Sequence, residues 1–159
     1  KKTMLYPISY GNDPLDPKAS DFEVVDKDDV SGKGVICYRS FKQGEVIARM
    51  KGEMVNVIRQ HTLQIEPGLH LFDQYFSGYF LHSCEPNISL DMANLTVTAL
   101  KDIPAHSYLY MDYAETEDYL FKQFPCSCGT ASCRGWIAGK KDIVMHDMDK
   151  EYSSIQVSL

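Results

Sequence analysis

The chain has 159 residues, of which 44% are hydrophobic and 24% are charged, a length and composition typical of one folded domain and not of a disordered chain. Its formal net charge is −6. We therefore expect no direct nucleic-acid binding, because binding to phosphate backbones depends on clustered Lys and Arg. We also expect no membrane helix, because the apolar stretches are far shorter than the ~20 residues that cross a bilayer.

Short strands are predicted along most of the chain. Residues 1–20 hold three prolines and a Gly-Asn-Asp turn signal, which predict an irregular lead-in. Runs of β-branched and aromatic residues then alternate with turns and predict strands at 22–25, 34–38, 46–50, 54–58, 63–65, 69–72, 88–91 and 95–100. One helix is predicted from an N-cap at Thr116 to about Phe124, where Pro125 ends it. The pattern is that of a mainly β protein.

Five cysteines carry the clearest chemical signal. Cys126, Cys128 and Cys133 crowd into one loop, and thiolate is a favoured ligand of structural zinc. A tetrahedral site needs a fourth ligand, for which Cys84, in a polar segment, is a better candidate than Cys37, in an apolar run. A disulfide with one spare thiol is the alternative. An odd number of cysteines fits a metal site in a reducing, intracellular compartment better than a paired secreted framework.

Four segments, in this order and spacing, resemble the SET-domain family of protein-lysine methyltransferases. They are the Gly32-Lys33-Gly34 loop, His82-Ser83-Cys84-Glu85-Pro86-Asn87, Leu109-Tyr110-Met111-Asp112-Tyr113, and the cysteine cluster followed by Arg134-Gly135-Trp136. The resemblance implies small curved sheets, few short helices, and a C-terminal pseudoknot that threads the second and third segments together. It divides the chain into the lead-in 1–20, a SET domain 21–124, a zinc-bound post-SET segment 125–141 and a tail 142–159.

The resemblance also implies one structural zinc and a reaction. Because the pseudoknot brings Cys84 beside the post-SET cysteines, the implied ligands are Cys84, Cys126, Cys128 and Cys133. The implied reaction transfers a methyl group from S-adenosylmethionine to the side-chain amine of a protein lysine, with Tyr113 as the catalytic residue that orients the in-line transfer. Contacts to the cofactor are implied for Lys33, Gly34, His82 and Trp136.

Three residues depart from the family pattern. Leu81 stands where asparagine is usual, and Met50 and Met111 replace aromatic residues of the lysine channel. Tyr110 is a further candidate for a residue that lines this channel. The degree of methylation is therefore not predicted. These departures keep two alternatives open, a non-catalytic SET fold that binds peptides as a scaffold and a zinc-stabilised interaction domain without cofactor.

The implied partner is a lysine-containing protein or peptide, bound as an added strand, and a histone tail is one candidate. Glu115, Glu117 and Asp118 could favour basic tails, but the N-terminus of the predicted helix is the preferred explanation for them. No signal peptide is recognised. Because the chain opens at Lys1 and not at Met, an N-terminal address could be missing from it, and the sequence does not choose between nucleus and cytoplasm. The sequence also does not predict an oligomeric state.

Overall fold

The computed structural model describes residues 3–29 and 31–145, and this part of the chain is mainly β, as predicted. It contains one short α-helix, two 3-10 turns (Ile8–Tyr10 and Ser77–Tyr79) and short strands. The elements in chain order are β1 (Phe22–Asp28), β2 (Gly32–Cys37), β3 (Val46–Arg49), β4 (Glu53–Val55), β5 (Thr62–Glu66), β6 (Leu69–Phe72), β7 (Leu81–His82), β8 (Ile88–Asp91), β9 (Thr96–Ala99), β10 (Tyr110–Met111), α1 (Tyr113–Thr116), β11 (Phe124–Pro125) and β12 (Trp136–Ile137). No helix of the described residues is long and apolar enough to span a membrane.

The strands form small separate sheets. β1 and β2 pair as an antiparallel hairpin, β3-β9-β8 and β4-β6-β5 form three-stranded antiparallel sheets, and β11 pairs with β12. The predicted pairing of 88–91 with 95–100 is confirmed by the register of β8 on β9. β7 and β10 are the exception, since they pair in parallel although 27 residues separate His82 from Tyr110 in sequence. This parallel pair lies at the centre of the candidate site.

Aromatic side chains fill the space between the sheets. Phe22 stacks on Phe41 with 5.7 Å between ring centroids and meets Phe76 edge-on at 5.2 Å. All three rings are buried. Burial of such large apolar groups is the main favourable contribution to folding, at about 25 cal/mol per Å² removed from water.

The irregular lead-in packs against this core. Leu5 and Tyr6 are buried, and the Tyr6 hydroxyl donates to Asp73 Oδ2 at 2.6 Å. Asp73 is fully buried and also accepts from the backbone N–H groups of Phe76 and Ser77. A buried carboxylate is stable only when hydrogen bonds replace its hydration. The lead-in therefore completes the environment of a buried charge.

The predicted helix from Thr116 to Phe124 is wrong. The α-helix ends at Thr116 and begins after Asp112, whose carboxylate caps it by accepting from Ala114 N at 3.0 Å. Glu115 does lie in its first turn, as expected for an acidic residue, but the next two acidic residues do not.

Tertiary hydrogen bonds explain why the helix does not continue. Glu117 Oε2 accepts from Gln64 N at 2.8 Å, and Asp118 exchanges two bonds with the Gln64 side chain. The carbonyls of Glu117 and Asp118 accept from the backbone N–H groups of Lys140 and Lys141. The backbone carbonyls that would accept hydrogen bonds within a helix are thus bonded to residues distant in sequence. Tertiary packing therefore overrides the local helix propensity.

Candidate active site

Four cysteine sulfurs converge at one point. The Sγ atoms of Cys84, Cys126, Cys128 and Cys133 all lie within 4.8 Å of one another, and those of Cys84 and Cys126 are 3.9 Å apart. A tetrahedron with Zn–S distances of about 2.3 Å has edges of about 3.8 Å, so the donor set and its spacing fit zinc. All five cysteines are free, and Cys37 is buried in the core with its Sγ 3.6 Å from the Pro104 carbonyl.

The protein scaffold already supplies hydrogen bonds to the sulfurs. The Thr130 hydroxyl lies 3.2 Å from Cys128 Sγ and, together with backbone N–H groups, lowers the pKa of this thiol to about 5. Burial raises the pKa of Cys126 to about 12. Arg134 N donates to Cys84 Sγ at 3.3 Å. Such donors favour the thiolate form that binds a metal.

The parallel pair β7/β10 brings the two central motifs side by side. Leu81 pairs with Tyr110, and His82 pairs with Met111. The Asn87 side chain fixes the connection, because its amide donates to the Tyr108 carbonyl at 2.9 Å and its oxygen accepts from Tyr110 N at 2.8 Å. The segment that ends in Cys84 and the segment that ends in Tyr113 are thereby held against each other.

A cleft of about 520 Å³ opens beside this pair. Ligand sites for small molecules are typically of this size. Its wall is formed by residues 31–33, 58–63, 77–81 and 120–122 with Met111, Tyr113, Glu117 and Phe124. The wall thus combines the start of β2, the turn before β5 with the first residues of β5, residues of the parallel pair, and the segment that precedes the cysteine cluster.

Tyr113 lies in the wall of this cleft with its hydroxyl fixed. The hydroxyl donates to the Phe80 carbonyl at 2.6 Å. The ring contacts His82 and Phe124, with centroids 5.1 and 5.8 Å away. Burial and the nearby charge of Glu117 raise the pKa of Tyr113 well above its usual range. The phenol therefore stays protonated at neutral pH and can orient a partner by hydrogen bonding, but it is a poor base.

His82 is turned toward the cysteines. Its side chain is 3% exposed, and burial lowers its pKa to about 4, so the imidazole is neutral at neutral pH. Nδ1 accepts from Tyr113 N at 3.1 Å, and Nε2 lies 3.5 Å from Cys84 Sγ. The imidazole is not part of the cleft wall.

A bidentate ion pair joins the cysteine loop to the helix. The guanidinium of Arg134 donates to both carboxylate oxygens of Asp112, at 2.9 and 2.7 Å. Burial alone would raise the pKa of Asp112, but hydrogen bonds from Arg134 and Ala114 hold it below its usual range. Planar paired donors of this kind fix orientation as well as charge.

Of the other residues predicted to contact the cofactor, the structure places Lys33 in the cleft wall but not Gly34 or Trp136. Lys33 lines the cleft, and its Nζ pairs with Asp26 at 3.0 Å on the surface. Gly34 packs against Leu81, because a Cβ added there would lie 2.8 Å from Leu81 Cδ1. Trp136 is outside the cleft wall and donates from Nε1 to Gln123 Oε1 at 2.9 Å.

The three residues predicted to line the lysine channel lie in three different places. Met111 lines the cleft. Met50 is fully buried in the core and does not reach the wall. Tyr110 instead lines a second hollow of about 320 Å³, together with Cys128.

Sequence reasoning missed Phe124 and the turn at 58–62. The Phe124 ring packs on both His82 and Tyr113, and its position directly before Pro125 and the cysteine cluster is the signal that could have found it. His61 Nδ1 lies 2.8 Å from the Gly78 carbonyl, and its ring is 4.4 Å from that of Tyr79. No pattern in residues 58–62 marks them as part of a site.

Comparisons with known proteins give related methyltransferases. No protein-family model matches the chain. The methyltransferase flvH of Aspergillus flavus is 33% identical over 84 residues, which cover 52% of this chain and 47% of flvH. The H3 lysine-9 specific histone-lysine N-methyltransferase of Schizosaccharomyces pombe is 34% identical over 86 residues, covering 40% of this chain and 18% of that protein. This chain therefore spans less than half the length of either curated relative.

A solved structure gives the corresponding similarity of fold. KRYPTONITE in complex with mCHH DNA, H3(1-15) peptide and SAH matches with a TM-score of 0.57 and 21% identity, over 72% of this chain and 29% of the KRYPTONITE chain. Because the identity is low, this similarity shows the fold alone.

Proposed function

We propose, from the premise that this chain carries the SET-domain fold and is homologous to SET-domain histone-lysine methyltransferases, that it transfers a methyl group from S-adenosylmethionine to the side-chain amine of a protein lysine. The observation that carries this proposal is the Tyr113 hydroxyl, fixed on the Phe80 carbonyl in the wall of a ligand-sized cleft.

The contribution of Tyr113 is orientation. S-adenosylmethionine, when bound, supplies a methyl group on a cationic sulfonium. The protonated phenol, locked in direction by Phe80, offers a fixed dipole beside the transfer path, where preorganised groups lower the barrier without reorganisation. Holding amine and methyl donor in line is worth several kcal/mol by proximity alone.

The cleft must also receive the lysine as a neutral amine. A lysine with its reference pKa near 10.4 is mostly protonated at neutral pH. Leu81, Met111 and Phe124 form apolar parts of the wall, and desolvation against such groups favours the neutral form. The chain thereby assists deprotonation without a dedicated base.

The other proposed roles concern the residues that contact the cofactor and the identity of the substrate. Lys33 lies in the cleft wall, which supports a cofactor contact, and Gly34 is the next residue in the chain. The His82 imidazole contacts Cys84 and Tyr113 N, so we propose that His82 contacts the cofactor through its backbone. Trp136 is proposed as a cover for the adenine, but Phe124 supplies the ring that faces Tyr113. We propose a lysine-containing peptide as substrate, and the H3 peptide bound to KRYPTONITE makes a histone tail the first candidate.

A labelled-methyl transfer assay on histones and on cell extract tests the proposal. We expect Tyr113→Phe to lower kcat/KM by roughly 100-fold, the usual cost of losing one preorganised polar group, because the hydroxyl oxygen, whose proton is held by Phe80, is then no longer present to accept from the substrate amine. Tyr119→Phe is the matched control, because Tyr119 is 48% exposed and outside the cleft wall, and it should retain parental activity. Equal incorporation by the parent and Tyr113→Phe would contradict the proposed role.

A second candidate function is a non-catalytic SET fold that binds peptides. The contact between Leu81 and Gly34 favours it, because an apolar side chain fills the space beside β2 at the position where the family usually has asparagine. Calorimetric titration with S-adenosylmethionine, combined with the methyl-transfer assay, separates the two functions. Binding together with turnover supports the enzyme, and binding without turnover on any peptide supports the scaffold.

A further inference from the structure

One imidazole lies between the cysteine cluster and the residue that begins α1. His82 Nδ1 is 3.1 Å from Tyr113 N, and His82 Nε2 is 3.5 Å from Cys84 Sγ. These two groups belong to segments 29 residues apart in sequence, and His82 contacts each through a different ring nitrogen.

The backbone group fixes which nitrogen carries the proton. Tyr113 N–H can only donate, so His82 Nδ1 must be the unprotonated acceptor. The single proton of the neutral ring then lies on Nε2, which faces Cys84 Sγ. A zinc-bound thiolate is a strong acceptor, so the orientation seen here is the one in which a metal ligand receives a hydrogen bond from the surrounding shell.

The competing orientation would use Asp112. Its Oδ1 is 3.9 Å from His82 Nδ1, which is too far for a hydrogen bond. Asp112 is also engaged by both arms of Arg134 and by Ala114 N. The Tyr113 N–H is at the correct distance, and as the first N–H of α1 it has no partner within the helix. His82 therefore satisfies a backbone donor that the helix leaves open.

We propose that the His82 side chain is a positioning residue that couples the metal site to Tyr113. Through Nε2–H it holds the Cys84 thiolate, and through Nδ1 it fixes the backbone from which the Tyr113 phenol extends to Phe80. This inference rests on zinc binding by the four clustered cysteines, but not on the methyl transfer of the proposed function. It gives His82 a role beyond a contact to cofactor.

The tautomer is read directly in the unmutated protein. Nitrogen-15 NMR of the zinc-loaded chain, labelled at histidine, should show His82 protonated at Nε2 and not at Nδ1. This measurement does not depend on any variant folding. The Nδ1–H tautomer would overturn the coupling, because Nδ1 could then not accept from Tyr113.

Two substitutions of His82 test the contacts of its two ring nitrogens one at a time. Asn in place of His82 sets an acceptor near Nδ1 but does not reach Cys84, so we expect His82→Asn to lose zinc to a chelator ten-fold or more faster while the Tyr113 amide stays protected from hydrogen exchange. Gln sets a donor near Nε2, so His82→Gln should retain zinc at the parental rate and expose the Tyr113 amide to exchange.

The outcomes distinguish this inference from the proposed function. Opposite effects of the two substitutions support the coupling, and equal effects of both on zinc and on the amide overturn it. Zinc absent by elemental analysis overturns the metal site and this coupling together. Zinc present with the wrong tautomer overturns the coupling alone and leaves the methyltransferase proposal intact.

Discussion

A single buried histidine on β6 makes the free energy of unfolding depend on pH. His70 is 4% exposed, and within residues 3–29 and 31–145 nothing bonds its Nδ1. Burial lowers its pKa from the usual 6.5. The unfolded chain therefore binds a proton at a higher pH than the folded chain does, so His70 makes stability fall as the pH drops below about 6.5.

Substitution of His70 tests this pH dependence. We expect His70→Leu to lose less stability than the parent between pH 7.5 and 5.5, because the substituted chain lacks the His70 imidazole, while the buried imidazole of His82 contributes equally in both proteins. Urea unfolding at both pH values measures the difference. His106→Asn is the control, since His106 is exposed and Asn tolerates its φ of 67°. A pH dependence of His70→Leu equal to that of the parent would contradict the assignment.

At the scale of elements, the Arg134–Asp112 pair docks the cysteine loop on α1. Arg134 and Asp112 side chains are 41% and 24% exposed, so solvent screens the pair. A double-mutant cycle with Arg134→Gln and Asp112→Asn should give a coupling energy of about 0.5–1 kcal/mol at low salt that shrinks at high salt. Asn keeps the helix cap, so the cycle isolates the ion pair. Urea unfolding measures it, and zero coupling at low salt would refute the docking role.

Strands long enough to show a pattern could be predicted from sequence. The hairpin of β8 and β9 follows from two β-rich runs on either side of a short corner, and the two strands pair as predicted. The two-residue strands β7 and β10 carry no period, because their pairing depends on a parallel contact between distant segments. Glu117 shows the same limit, since its local helix signal lost to Gln64, 53 residues away.

Some residues of the candidate site could likewise be predicted from sequence, and others could not. Chemistry-bearing residues such as Tyr113 and the cysteines stand in recognisable motifs, and the structure brings Cys84 to the other three sulfurs. Walls of a cleft have no motif, because any apolar residue at the correct place can form them. That is why Phe124 was missed. It is also why Met50, which replaces an aromatic residue of the family's lysine channel, proved to lie in the core.

At the scale of the molecule, the cluster of four cysteines joins Cys84, which follows β7, to the segment that forms part of the cleft wall. We expect one zinc per chain by elemental analysis, lost with Cys84→Ser and retained with Cys37→Ser, whose Sγ is outside the cluster. Chelation should lower Tm and make residues 117–145 sensitive to protease before β1–β9, because metal binding energy contributes directly to folding. Full zinc in Cys84→Ser would show that the ligand set is wrong.

The Tyr6–Asp73 hydrogen bond also sets an order of events during synthesis. The two residues are 67 positions apart, and at about 5–20 residues per second a ribosome needs roughly 3–13 s to deliver the second after the first. Throughout that interval Leu5 and Tyr6 have no core to enter. The lead-in is thus made before every strand it packs on and is buried only after β6 has emerged, which makes it a natural early client for chaperones.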